Sequence, residues 1–193
     1  MSNIKILSII FIIIGNVLLG GCSLYKGINH NLNNNEKFNQ EELSVFEYNE
    51  QFMNSYKKYI EPLYIEEYDN AKKFLKDQGS ISNEGYIKEY KKLLEVSGRN
   101  ISGFKKEMNN LVTQDIELTD LNNELVKNSD DLITEINTKV NETKNIPKEK
   151  YSLETEKFIN YIELNFQISE TITNKFANSI KNIRHYLDIE LNI

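Results

Sequence analysis

Past the first forty or so residues, apolar positions recur along this chain in steps of three, four and seven. The first such run takes in Val45, Phe52, Met53, Tyr56, Tyr59, Ile60, Leu63, Tyr64, Tyr68, Ala71 and Leu75. These are helical intervals, and no stretch alternates with the period of two that a half-buried strand needs. Asn39, with Glu42 three residues on, predicts the start of the helix as a capping pair. Gly79 predicts its end, and Pro62 predicts a kink or a break between them.

A second run begins after Ser82 with Tyr86, Tyr90, Leu93, Ser97, Ile101, Phe104, Met108 and Leu111. Phe104, Leu111, Leu118, Leu125 and Leu132 then fall seven apart, with Leu121, Ile136 and Val140 on the same face. That spacing predicts a coiled-coil-like seam. One helix over the whole region would be about 90 Å long, which argues for a break. Ser97-Gly98-Arg99-Asn100 with Gly103 is the first candidate for it, and Thr113-Gln114-Asp115 the second. A third run starts between Pro147 and Ser152 and places Phe158, Ile162, Phe166, Ile172, Phe176, Ile180, Ile183 and Leu187 on one stripe. Asp69–Lys73, Glu95–Arg99 and Glu135–Lys139 have the i,i+4 spacing of helical ion pairs. The expected fold is all-α: an elongated antiparallel bundle of three to four long helices with coiled-coil-like seams, ~55 Å long if the helices run about 37 residues.

Composition agrees with that pattern. Only 8 Gly and 2 Pro occur in 193 residues, so helices are rarely interrupted. The formal net charge is −6, and lysines are interspersed with acids. An acidic body without a basic patch has no general attraction for nucleic acid. The single cysteine excludes an intramolecular disulfide.

The first residues follow a different rule. Lys5 precedes an apolar run from Ile6 to Leu19, shorter than the roughly 20 residues of a spanning helix. The length suits the apolar core of an export signal. The run ends Leu18-Leu19-Gly20-Gly21-Cys22. This resembles the lipobox of bacterial prolipoproteins, an aliphatic residue and two small residues before a cysteine. The resemblance covers the N-terminus alone, and the residue usage is similar to that of low-GC Gram-positive bacteria. It implies a diacylglyceryl group on the Cys22 thiol and cleavage between Gly21 and Cys22. It also implies a chain held at the extracytoplasmic face of the cell membrane. Two acyl chains suffice for stable anchoring, where one is marginal. The expected organisation is a signal peptide over 1–21, an acylated cysteine with an Asn-rich tether over 22–39, and a helical domain over 40–193.

Candidate chemistry is sparse. His30 and His185 fall in no metal-ligand spacing, and no phosphate-cradling loop or nucleophile elbow is present. Neighbouring carboxylates such as Glu41-Glu42, Glu66-Glu67 and Asp130-Asp131 point apart on a helix. No catalytic residue, metal or cofactor is therefore expected beyond the lipid on Cys22. Seven of the 11 tyrosines lie between residues 48 and 90. Most lie on the apolar stripes and are expected to pack. Tyr48 and Tyr64 look least committed to a stripe and are the candidate binding surface.

These readings lead to a membrane-anchored, non-catalytic interaction or structural module in the cell envelope. Its expected partner is another envelope protein or a second copy, with no nucleic acid. The alternative is a lipoprotein that binds cell wall, glycan or a small ligand through the tyrosine-rich region. A third reading, an accessory, exclusion or immunity lipoprotein, makes the same structural predictions as the first.

Overall fold

A computed structural model describes residues 42–63 and 81–189. The predicted Asn39 cap, Gly79 terminus and Asp69–Lys73 pair, along with Tyr64, lie outside them. Among the described residues there is no strand, and one isolated bridge joins Leu43 to Thr113. The fold is an all-α bundle. Its elements are α1 (Val45–Ser55), α2 (Asn83–Asn109), α3 (Ile116–Glu142), α4 (Thr155–Phe166) and α5 (Glu170–Tyr186).

α1 starts at Ser44. Its hydroxyl accepts from the Glu47 N–H, and the Glu47 carboxylate accepts from the Ser44 N–H at 2.9 Å. This reciprocal pair satisfies two donors that a helix start leaves free. It corrects the predicted start: Glu42 precedes the helix, and Asn39 does not cap the described one. Pro62 does not end α1. The helix instead widens into a π turn over Tyr56–Ile60, where the Glu61 N–H reaches back to the Tyr56 carbonyl. Proline cannot donate to the carbonyl four residues back and crowds it, and a local change of pitch next to it absorbs both effects.

α2 begins where expected, with the Ser82 hydroxyl accepting from the Gly85 N–H at 3.1 Å. The break comes at Asn110–Asp115, so the second candidate is right and the first is not. Asp115 caps α3 by accepting from the Leu118 N–H at 2.9 Å. Ser97 and Gly98 are instead buried inside α2. A β-carbon on Gly98 would lie 3.2 Å from Ile136, and one on Gly103 would lie 2.3 Å from the Tyr59 ring. Both glycines mark close approach of a neighbouring helix, not a turn. The core residue of the first turns of the seam is Leu94, not Leu93.

The third run is two helices. α4 ends at Phe166 and α5 starts at Glu170, with Ile168 buried between them. The Glu135 carboxylate of α3 takes the freed Ser169 N–H at 2.7 Å. The apolar stripe does show the break, since Phe166 to Ile172 is a step of six, out of phase with its neighbours.

Contacts fix the directions. α2 and α3 form an antiparallel hairpin, with Met108 beside Asn122 near the loop and Gly98 beside Ile136 further along. α5 runs antiparallel to α3, with Ser169 at Glu135 and Tyr186 at Asp115. α4 runs alongside the first half of α2, Tyr86 edge-on to Phe158 and Tyr90 bonded to the Phe166 carbonyl. α4 and α5 therefore act as one broken rod, and with α2 and α3 they form a three-rod bundle. α1 crosses the second half of α2, with Phe52 on Phe104, and the π turn that follows brings Tyr59 over Gly103. The 27-residue helices α2 and α3 span about 40 Å, shorter than expected because the predicted long segments are divided. The core runs their full length: Phe104, Leu118, Leu125, Leu132 and Ile136 are wholly buried.

The bundle has two distinct ends. At the near end the incoming chain meets the α2–α3 loop, with the Leu43 N–H donating to the Val112 carbonyl at 2.7 Å and Gln114 donating to Glu42. At the far end, 3-10 turns over Thr143–Asn145 and Lys148–Ser152 lead round Pro147 into α4. Asn83 pins them to the start of α2 by donating to the Tyr151 and Leu153 carbonyls at 3.0 and 2.7 Å.

Candidate functional site

Of the residues singled out in the sequence, Gly21, Cys22 and Tyr64 lie outside the described residues. Tyr48 lies inside them, and its expected place on a binding surface is corrected. It is 0% exposed, stacked near Phe52 at 6.5 Å between centroids. Its hydroxyl donates to the Asn122 Oδ1 at 2.8 Å, and the Asn122 amide donates on to the Met108 carbonyl at 2.9 Å. Tyr48 stands three residues after Val45 and four before Phe52, so the helical period itself places it on the face those residues mark. Burial raises the Tyr48 phenol far above its ordinary range.

The neighbouring tyrosines are also internal. Tyr56, Tyr86 and Tyr90 are buried, and Tyr59 is half-buried over Gly103. Tyr56 stacks 5.4 Å beneath the buried Arg184 guanidinium of α5. Tyr90 donates to the Phe166 carbonyl at 2.9 Å, where α4 ends. Tyr48, Tyr59 and Tyr90 combine ring packing with a hydroxyl bonded to another helix, at Asn122, Glu107 and the Phe166 carbonyl. The structure therefore brings these tyrosines together as packing.

Of the remaining buried polar side chains, one pair joins two helices. Asn128 of α3 donates to the Ser179 hydroxyl of α5 at 2.6 Å, and that hydroxyl donates to the Lys175 carbonyl at 3.0 Å. Ser129 and Thr173 return their hydroxyls to their own helices. Glu163 is half-buried near Tyr86 and Tyr90, and burial raises its carboxyl above the usual range. Among the described residues, no group of three or more His, Cys, Asp or Glu is placed to hold a metal ion. Among them, too, no helix is long and apolar enough to cross a membrane.

Two of the predicted i,i+4 pairs exchange partners. Glu95 pairs with Lys91 at 3.6 Å instead of Arg99. Glu135 is drawn to Ser169, and Lys139 pairs with Glu142 at 3.0 Å.

Sequence reasoning missed the apolar residues that face outward. Phe46 is 64% exposed, Ile116 79% and Leu164 78%, with Val45 at 42%. The signal was present: Phe46 and Ile116 each stand two residues before a core position, Tyr48 and Leu118, and so on the opposite helix face. Phe46, Val45 and Ile116 all lie at the near end, in the first turns of α1 and α3. Leu164 lies towards the far end, beside Asn165, whose carbonyl accepts from Lys139.

No protein-family model matches the chain, and no curated protein or solved structure matches it.

Proposed function

We propose that the chain is a membrane-anchored lipoprotein of the cell envelope, whose helical bundle serves as a non-catalytic protein-interaction or structural module. The observation that carries this reading is Leu19-Gly20-Gly21-Cys22, in which the one cysteine of the chain stands where a lipobox requires it. The form of the body supports the second half of the reading. Tyr48, Asn122, Asn128 and Glu135 are engaged in joining helices, and its outer faces carry interspersed charge. The alternative of a glycan or small-ligand surface built from the tyrosines of 48–90 is weakened, because Tyr48, Tyr56, Tyr86 and Tyr90 pack inside.

The test is fatty-acid labelling and in-cell crosslinking of the wild type and Cys22→Ser. The wild type should carry label, fractionate with membrane and capture a defined envelope protein or itself. Cys22→Ser should lose the label and leave the membrane. A Cys22→Ser chain that still carried acyl label would end the lipoprotein reading.

A further inference from the structure

We propose that the near end of the bundle rests directly on the lipid surface, with Phe46, Val45 and Ile116 inserted at the headgroup–acyl boundary. The inference builds on the reading that Cys22 is acylated, and adds an orientation to it. Among the described residues, three of the four exposed large apolar side chains occupy this end. α1 and α3 both begin here, and side chains of a helix lean towards its N-terminus. In the first turns of these two helices that lean directs the exposed Phe46 and Ile116 towards the near end.

The occupant follows from where the chain enters. Residues 23–41 connect Cys22 to Glu42, and Glu42 and Leu43 are fastened to the α2–α3 loop at this same end. Those 19 residues can reach at most about 3.6 Å each and join the bundle at this end, so an anchor at Cys22 brings this end to the bilayer before any other. Insertion is then intramolecular, at an effective concentration on the order of millimolar, and two or three partly inserted side chains suffice to orient the domain. The acids around the patch, Glu42, Glu47, Asp115 and Glu117, oppose anionic headgroups. The contact is thus apolar insertion, and phosphatidylcholine is the suitable probe.

The chain contains no tryptophan, so single tryptophans report their own depth. The experiment uses the full mature chain, extracted from membranes and reconstituted into phosphatidylcholine vesicles with brominated acyl chains. The variants are Phe46→Trp, Ile116→Trp and Leu164→Trp, with the last about 30 Å away along the bundle. All three sites are exposed, and a thermal melt of each variant checks that the fold is kept. Phe46→Trp and Ile116→Trp should lose roughly half their emission, consistent with insertion to the acyl boundary, and Leu164→Trp should lose none. Vesicles that float with the protein while all three tryptophans stay bright would overturn the orientation and leave the anchor intact. Equal quenching at all three would also overturn it, in favour of a bundle lying flat. A chain that does not float at all refutes the anchor itself, and the orientation with it.

Discussion

Asn122 illustrates how single polar residues set this core. It sits on α3 between two other helices, accepting from Tyr48 of α1 and donating to Met108 at the end of α2. Replacing Tyr48 with Phe keeps the ring and removes the donor, leaving the Asn122 oxygen buried without its partner. The expected cost is about 1–3 kcal/mol, read as a lower urea midpoint with an unchanged slope. A Tyr48→Phe chain as stable as the wild type would show that water replaces the hydroxyl. Gly103 sets a second contact. Tyr59 closes over it so tightly that Gly103→Ala must displace the ring, and about 1–3 kcal/mol should be lost by the same measurement. Were Gly103 only a flexible point in α2, alanine would stabilise the helix instead. The sequence showed Gly103 as a glycine within a helical pattern, and could not show that a tyrosine 44 positions earlier covers it.

At the scale of elements, starts were legible where a side chain could cap locally. Ser82 is the clear case, since its hydroxyl needs only the N–H three residues ahead. The end of α5 is less apparent. Asp188 adopts a left-handed backbone with φ of 51°. Behind it, Ile189 donates to the Arg184 carbonyl at 3.0 Å and Asp188 to that of His185 at 3.2 Å. This is the paired-bond closure that glycine usually makes. Asp188→Gly should therefore stabilise the chain by up to about 1 kcal/mol, seen as a raised thermal midpoint. A lowered midpoint would mean that the Asp188 carboxylate contributes more than its backbone conformation costs. The break between α4 and α5 was visible only as the six-residue step from Phe166 to Ile172, and its reason is tertiary. Glu135 on another helix accepts the Ser169 N–H, and Ile168 turns into the core.

For the whole molecule, the Tyr186–Asp115 bond ties the end of α5 to the α2–α3 loop at 2.6 Å. This bond, with the Leu118 N–H, holds the Asp115 carboxyl below its usual value of 3.8, and pushes the Tyr186 phenol up to about 12. The stability from a depressed carboxyl is present above pH 3.8 and is lost as pH falls through the folded value. The stability from the raised phenol is present below pH 10 and is lost as pH rises towards about 12. Asp115→Asn should thus be less stable than the wild type at pH 7, with the gap narrowing as pH falls below 3.8 through the folded value. Denaturant titrations of both chains at pH 7 and at successively lower pH test it, and a gap independent of pH would place the effect in packing.

The sequence by itself determined the all-helical class, most of the apolar face that α2 to α5 bury, the cap at Ser82 and the short motif Leu19-Gly20-Gly21-Cys22. These are local properties: helical period, capping hydroxyls and a short linear motif act within a few residues, so a linear reading contains them. Tertiary structure decided where long helical patterns divide and which carboxylate each lysine meets. The heptads through Leu111 and Leu118 continue unbroken across the hairpin, because both of its arms pack on one core. Those outcomes depend on residues far apart in sequence competing for the same volume and the same hydrogen-bond partners, and only the folded chain brings them together.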